Sequence, residues 1–454
     1  MINKDKGNIH FIGVGGISMS ALAEILLDKG YHVSGSDRGY SPIITALEEK
    51  GLIFCGPQKA DNISDDTVLA VYTVAVKENN PELMAARSKG ITVIPRSRLL
   101  GDIMSEYRYP IAVSGTHGKT TTTSMLAYIF KHADLDPTII VGGELDLLDK
   151  KTLCLGKGDY LLAEACEYYR SFLDFKPYCA TILNIEPDHL DYYKDKEDFQ
   201  SAFVAFSDNI LDGGWLIACA DDEDMHKIIE HTKAKVITYA IKNPADVTAR
   251  DISFDNGYPV FTLVIHGKKI GTVRLSVTGQ HNVLNALAAL ANAYVLQLDM
   301  DKAIESLSLF KGAIRRFEYK FELNGAKVYD DYAHHPTEVA ATVQAASKLP
   351  HGKLFCVFQP HTYSRAKKFL NKFATAFDGV DEVIIADIYA AREPLDPAIP
   401  TSLIAEKICE NGVHATAISG NSTISQYLRA NVQKGDLVVI MGAGDIFKIY
   451  DILR

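Results

Sequence analysis

Tyr109-Pro-Ile-Ala-Val-Ser-Gly-Thr-His-Gly-Lys-Thr-Thr-Thr-Thr-Ser-Met-Leu-Ala-Tyr128 reads as a short buried strand (Ile111 to Val113), a glycine turn (Gly115 to Gly118) and a helix. The apolar pairs Met125/Leu126 and Ile129/Phe130, one turn apart, carry the helical period. Two glycines let the backbone aim its N–H groups at one point, and the helix adds its positive end there. Lys119 is placed to reach the β and γ oxygens of a nucleotide, and the Thr120 hydroxyl to ligate Mg²⁺. Gly115, Thr116, His117, Gly118, Lys119, Thr120 and Thr121 are therefore a candidate triphosphate cradle, read as an ATP site. Val113 stands where the full P-loop pattern has its first glycine. The alternative is a strand-to-helix turn that merely contains Gly-Lys-Thr; the Thr116-His117 insertion between the glycines argues against chance.

Upstream, Ile9 to Val14 is a strand leading into Gly13-Val14-Gly15-Gly16-Ile17-Ser18, then a helix with Met19, Leu22, Ile25 and Leu26 on one face. A second strand ends at Ser36-Asp37, an acid about 20 residues past the turn, as in a dinucleotide fingerprint. Ser18 replaces the third glycine. A nucleotide pyrophosphate, a ligand-free turn and a nicotinamide cofactor all remain open for this unit. Further strands at 52–54, 68–74 and 91–94 extend the sheet, with Thr73 at a strand end where such sheets open their ligand crevice. The polar stretch 101–109 marks a first boundary.

A chain of 454 residues, 47% hydrophobic and 23% charged, suggests about three globular domains. A net charge of −10 argues against a nucleic-acid-binding surface. The seven cysteines form no C-x-x-C pair, the pattern of reduced cytosolic thiols. Met1-Ile-Asn-Lys-Asp-Lys6 shows no leader pattern, and no apolar run is long enough for a bilayer, so a cytoplasmic protein without membrane partners is expected.

Downstream, strands end in Glu164-Ala-Cys-Glu167 and in Asn184-Ile-Glu-Pro-Asp-His189-Leu-Asp191, which brings carboxylates to the side of the glycine turn. Glu164 is the metal-ligand candidate. His189 is either a second metal or substrate ligand or a capping residue. Phe261 to Val277 reads as a hairpin around His266-Gly267-Lys268. Asn282, in the first turn of an alanine-leucine helix, holds either an adenine edge or an N-cap. A second boundary falls near Gly312. Arg315-Arg316 suits a phosphate-rich ligand or is a solvated pair. The last third alternates strands and helices, including a helix over 364–377, and predicts another parallel α/β sheet.

His10-Phe-Ile-Gly-Val-Gly-Gly16, Ser114-Gly-Thr-His-Gly-Lys-Thr-Thr-Thr-Thr123, Glu164-Ala-Cys-Glu167, Asp188-His-Leu-Asp191, His281-Asn-Val-Leu-Asn-Ala-Leu-Ala288, Arg315-Arg-Phe317, Asp330-Asp-Tyr-Ala-His-His-Pro-Thr-Glu338, Phe358-Gln-Pro-His361 and Gly442-Ala-Gly-Asp445 together resemble the Mur ligase family, in family order along nearly the whole chain. The resemblance implies an α/β fold of three domains: an N-terminal Rossmann-like UDP-binding domain (1–108), a central P-loop ATPase-like domain (109–312) and a C-terminal Rossmann-like amino-acid-binding domain (313–454). It implies that ATP phosphorylates the lactyl carboxylate of UDP-N-acetylmuramate and that the amine of L-alanine attacks the acyl phosphate. Lys119, Glu164, His189, Arg316, His334 and Arg365 match the catalytic positions, with Thr120, Glu164 and His189 on Mg²⁺. Asn282, Arg316 and Asp331 match ATP-gripping positions, and His334 and Arg365 those that hold the alanine carboxylate. Gly13, Gly15, Gly16, Ser18, Asp37, Thr73 and Glu167 fall to the UDP-sugar. Domain closure would exclude water from the intermediate.

Cys166 replaces a family carboxylate, Thr362 a frequent arginine, and Ser18 a glycine. A tripeptide-recycling ligase of the same family needs a different C-terminal pocket, and Gln359-Pro-His361 favours a single amino acid. A nicotinamide oxidoreductase leaves the Gly-Lys-Thr turn unexplained, and a nucleotide switch leaves the polar strand ends of the last third without a task.

Overall fold

The computed structural model describes residues 7–189, 192–391 and 393–454; the Met1–Lys6 stretch and Asp191 of the Asp188–Asp191 motif lie outside the described residues. The chain forms two compact units, Met1–Val247 with Ala288–Ala303, and Thr248–Leu287 with Ile304–Arg454.

The first unit holds two sheets. β1 (Asn8–Ile12), β2 (His32–Ser36), β3 (Ile53–Phe54), β4 (Thr67–Tyr72) and β5 (Thr92–Pro95) run in the order β3-β2-β1-β4-β5. Every pairing among them is parallel. The order reverses at β1, so the Gly13–Gly16 turn sits at the carboxyl edge where such sheets open. In the second sheet β6 (Tyr109–Ser114), β7 (Thr138–Leu145), β8 (Lys151–Cys154), β9 (Tyr160–Glu164), β10 (Cys179–Ile182), β11 (Trp215–Cys219) and β12 (Lys235–Ala240) follow β12-β11-β10-β6-β9-β7-β8. Ile111, Ala112 and Val113 of β6 are fully buried, as a central parallel strand requires. Register sets Val113 opposite both Glu164 and Thr181, which brings the glycine turn level with the ends of β9 and β10.

In the second unit β13 (Val247–Asp255), β14 (Tyr258–Ile265) and β15 (Lys268–Arg274) form a meander. The β14–β15 turn is the expected hairpin: His266 and Gly267 both take positive φ, the twist-matched form of a two-residue loop. β16 (Glu318–Leu323), β17 (Ala326–Asp331), β18 (Leu354–Phe358), β19 (Glu382–Ile385), β20 (Ala415–Ala417) and β21 (Leu437–Met441) follow β16-β17-β21-β18-β19-β20.

Two details differ from the sequence reading. The third sheet is not wholly parallel, because the Asn324-Gly325 turn folds β16 back on β17 as an antiparallel edge. The helix expected over 364–377 breaks at Phe369 into Tyr363–Lys368 and Leu370–Ala374, as Phe369 turns inward onto the core of that sheet. All seven cysteines are free. Among the described residues no helix is long and apolar enough to cross a membrane.

Candidate active site

The turn after β6 is held by the loop that follows β10. Gly115 takes φ +134°, and an added Cβ would stand 3.0 Å from Leu183 Cβ and 3.1 Å from the Asn184 nitrogen, so only glycine passes. Asn184 Oδ1 accepts from the His117 amide at 2.8 Å, and its Nδ2 donates to the His117 carbonyl at 3.0 Å. Thr116 Oγ1 donates to the Glu186 carbonyl (2.7 Å) and accepts from the Glu186 amide (3.0 Å). His117 Nε2 lies 3.0 Å from Glu186 Oε2. Gly118, left-handed at φ +85°, then starts the helix Lys119–His132, and Thr120 and Thr121 enter its first turn. The cradle is thus fastened at both ends before any ligand arrives.

Three strand ends deliver charged groups to this turn. Lys119 Nζ donates to Glu167 Oε2 at 2.9 Å, to the Thr116 carbonyl at 3.2 Å and to the Gly115 carbonyl. Burial opposes the charge on Lys119, but the Glu167 carboxylate outweighs it and the pKa rises. Burial likewise opposes ionisation of Glu167, yet Lys119 and His189 hold it below the usual carboxylate range. His189 Nε2 stands 3.4 Å from Glu167 Oε1, and its ring stacks on Tyr168 with centroids 4.3 Å apart. Glu164 Oε2 accepts from the Thr120 hydroxyl at 3.1 Å. Its other oxygen accepts from the Gly142 amide at 2.5 Å.

Around the first turn of the chain, the Gly15 amide donates to Asp37 Oδ2 at 2.9 Å. A Cβ on Gly15 would meet that oxygen at 3.0 Å. Gly13 takes φ +90° and faces the Thr73 methyl, while Gly16 and Ser18 are exposed at the start of the helix Ile17–Asp28. Gly13, Gly15, Asp37 and Thr73 are therefore one cluster at the carboxyl edge of the first sheet.

In the second unit the adjacent arginines separate in role. Arg315 is tied down: its Nε lies 3.3 Å from buried Asp330, Nη2 donates to the Gly442 carbonyl at 2.7 Å, and its plane rests on Tyr332 and Phe447. Arg316 lines a cavity of about 560 Å³ together with Asn282, Lys311, Arg274 and the rings of Tyr258 and Tyr319. The Asn282 side chain donates to the Thr278 carbonyl (2.7 Å) and accepts from Asn285 Nδ2 (2.9 Å), so it caps no helix amide. Asp331 accepts from the amides of Phe317 (2.8 Å) and Ala333 (2.7 Å), and burial pushes it up to about 6 against the pull of Arg316. At the ends of β17 and β18, His334 and His361 rings meet at 5.8 Å, and Arg365 Nη1 lies 3.3 Å from His361 Nδ1. Thr362 Oγ1 accepts from the Arg365 amide and so caps the helix that carries this arginine.

Gly142, Asn184, Glu186 and His361 join the site beyond the residues expected from the sequence. The Gly142-Gly143 doublet was a signal of close approach, and the other three stand in the polar strand ends already singled out.

Comparison with known proteins identifies three consecutive stretches. Residues 8–108 match the Mur ligase family catalytic domain, 113–293 the Mur ligase middle domain and 315–444 the Mur ligase glutamate ligase domain. A UDP-N-acetylmuramate–L-alanine ligase of Clostridium kluyveri is 48% identical over 97% of this chain and 96% of its own. One from Acetivibrio thermocellus is 47% identical over 98% and 95%. The crystal structure of the UDP-N-acetylmuramate–alanine ligase of Thermotoga maritima superposes with a TM-score of 0.82 at 30% identity, over 98% of both chains. A murein peptide ligase from Psychrobacter arcticus gives 0.71 at 26% identity, again over 98% of both. With three domain models in order, near-half identity over full length and a shared α/β architecture, the chain belongs to the Mur ligase family.

Proposed function

We propose that this protein is an ATP-dependent ligase that joins L-alanine to the lactyl carboxylate of UDP-N-acetylmuramate, in the synthesis of peptidoglycan precursors. The observation that carries the reading is the convergence of Lys119, Thr120, Glu164, Glu167 and His189 on one glycine turn, in a chain near-half identical to curated ligases of that name. ATP and the sugar acid are both anions, so their approach has to be screened. Lys119 neutralises phosphate charge and stabilises the charge that develops as the γ-phosphoryl group moves to the carboxylate. The hydroxyl of Thr120 and the carboxylate of Glu164 are hard oxygen donors suited to Mg²⁺, with His189 as a further ligand. When bound, that ion supplies positive charge against the phosphate oxygens.

In this reading Asn282, Arg316 and Asp331 bind the adenine, phosphate and ribose parts of ATP. His334 and Arg365 orient the alanine carboxylate, a task for which a guanidinium fork is well shaped. Gly13, Gly15, Gly16, Ser18, Asp37 and Thr73 receive the nucleotide end of the sugar. Segments 1–108, 109–312 and 313–454 divide the work as sugar-, ATP- and amino-acid-binding domains. The protein acts in the cytoplasm, where ATP and nucleotide-linked sugars are available, with neither nucleic acid nor membrane as partner.

ADP release with UDP-N-acetylmuramate tests the reading. Turnover that requires L-alanine is expected. Turnover driven instead by the tripeptide makes it a recycling ligase, and hydrolysis indifferent to the sugar removes the ligase reading.

A further inference from the structure

Parallel strands covered on both faces are expected to be apolar on both. β1 and β2 keep that rule on one face, with Ile9, Phe11 and Val33 buried there. The alternate positions Asn8, His10, Ser34 and Ser36 point to the opposite face and are buried as well. Over this polar stripe the helix Pro81–Ser88 places Glu82, which has no exposed surface. Glu82 Oε2 accepts from Ser36 Oγ at 2.6 Å. Its Oε1 accepts from Asn62 Nδ2 at 2.6 Å and stands 3.4 Å from His10 Nε2. Across the ring, His10 Nδ1 lies 2.8 Å from Ser34 Oγ, which also accepts from Asn8 Nδ2 at 2.6 Å. Burial opposes the charge on Glu82, but His10, Ser36 and Asn62 outweigh it and hold the carboxyl below the usual range.

A buried ionic cluster exchanged for packed apolar side chains commonly costs nothing, so stability alone does not account for this stripe. Its upper end does. Ser36 is the last residue of β2, and its carbonyl accepts from the amides of Gly13 (2.8 Å) and Val14 (2.9 Å). The next residue, Asp37, takes the Gly15 amide at 2.9 Å. Three consecutive amides of the first glycine turn are thus held by two consecutive residues. Val14 also packs on β2, where an added Cβ on Gly35 would stand 2.7 Å from Val14 Cβ. The turn rests on the end of β2, and the Ser36 hydroxyl ties that end to Glu82.

We propose that Glu82 is a positioning residue for the nucleotide sugar: through the Ser36 hydroxyl it fixes the carbonyl that sets the Gly13–Gly15 backbone. This deepens the ligase reading and rests on it, since that reading assigns the Gly13–Gly16 turn to the nucleotide end of the substrate. The effect belongs in affinity, because a loosened turn has to be ordered at the moment of binding.

Calorimetric titration of the full chain with UDP-N-acetylmuramate, with UDP and with ATP tests the proposal. Ser36→Ala removes the hydroxyl and keeps the carbonyl. Glu82→Gln sets an amide NH₂ against one of the carboxylate's donors. Each is expected to weaken the sugar and UDP alike, about 10-fold, the size of one charge-assisted hydrogen bond, and to leave ATP unchanged. The double variant should be no weaker than the worse single, about 10-fold rather than about 100-fold, because both changes cut the same link. A residue that merely stabilises the fold would lower the melting temperature without this coupled loss. Additive losses overturn the proposal, since Glu82 would then act on the turn by another route. ATP weakened as much as the sugar overturns it too, as do unchanged affinities in folded Ser36→Ala. Should Glu82→Gln not fold, Ser36→Ala decides alone on the same terms. A wild-type chain that binds UDP but not the muramate removes the ligase reading and leaves the positioning test intact with UDP; one that binds neither removes both.

Discussion

Lys119 and His189 share one buried carboxylate: Glu167 Oε2 accepts from Lys119 Nζ at 2.9 Å while Oε1 stands 3.4 Å from His189 Nε2. The two residues come from different strand ends, β6 and β10, and Glu167 follows β9 between them. Glu167 thus keeps the lysine of the glycine turn charged and within reach of the turn's own carbonyls.

Lys119→Ala should abolish ADP release, by about 10³-fold or more, because the developing phosphoryl charge loses its cation. It also strands a buried carboxylate, so a stability loss of roughly 3 kcal/mol is expected in thermal unfolding. Binding of UDP-N-acetylmuramate should remain, since its nucleotide end is assigned to the Gly13–Gly16 turn. Loss of sugar binding in a folded variant would contradict that layout.

Gly142 acts on Glu164 through its backbone. An added Cβ would stand 2.9 and 3.0 Å from the two carboxylate oxygens and push the side chain off the Thr120 hydroxyl. Gly142→Ala should raise the Mg²⁺ concentration for half-maximal activity about 10-fold or more, the size of effect typical of residues that orient a metal ligand. A Mg²⁺ titration with an unaltered midpoint would show that Glu164 orientation is unimportant.

Asp331 titrates near the working range. Burial raises it from 3.8 to about 6, so the folded state takes up a proton between those values that the unfolded chain has released. Its contribution to stability therefore declines as pH rises from 4 to 6 and is a standing cost above that. The carboxylate is ionised only above about 6, so the KM for ATP should climb as pH falls through 6. In Asp331→Asn that inflection should be absent; if it persists, another group is responsible.

Arg315 and Arg316 should separate in a paired experiment. Arg315→Ala leaves Asp330 buried without its cation and removes the stacking on Tyr332 and Phe447, so a stability loss of roughly 3 kcal/mol is expected. Arg316→Ala should raise the KM for ATP about tenfold, as for a lost charged hydrogen bond, and cost less stability than Arg315→Ala, because Asp331 keeps its two amide hydrogen bonds and takes up a proton more readily than Asp330. The reverse pattern would exchange the two roles.

The chain's local order was written in its residues. Strand, glycine turn and helix follow from the apolar periods and from the two glycines at 115 and 118, all within one short stretch. The hairpin at His266-Gly267 and the alternation of the last third are short-range patterns of the same kind. Break points were less visible: the Phe369 break depends on what the core of the third sheet accommodates, not on helix propensity.

Which charged groups meet is another matter, because it depends on strand order. The order β10-β6-β9-β7 brings Asn184, Glu167 and Gly142 to one turn from positions far apart in the chain. No spacing rule connects them. Equally, Arg315 and Arg316 are indistinguishable as residues, and their neighbours alone make one a strut and the other a cavity wall. Sequence determined the elements, their chemistry and the family, since these are local or cumulative properties; the tertiary structure decided the pairings, since burial and counter-charge are set by residues that meet only once the sheets have formed.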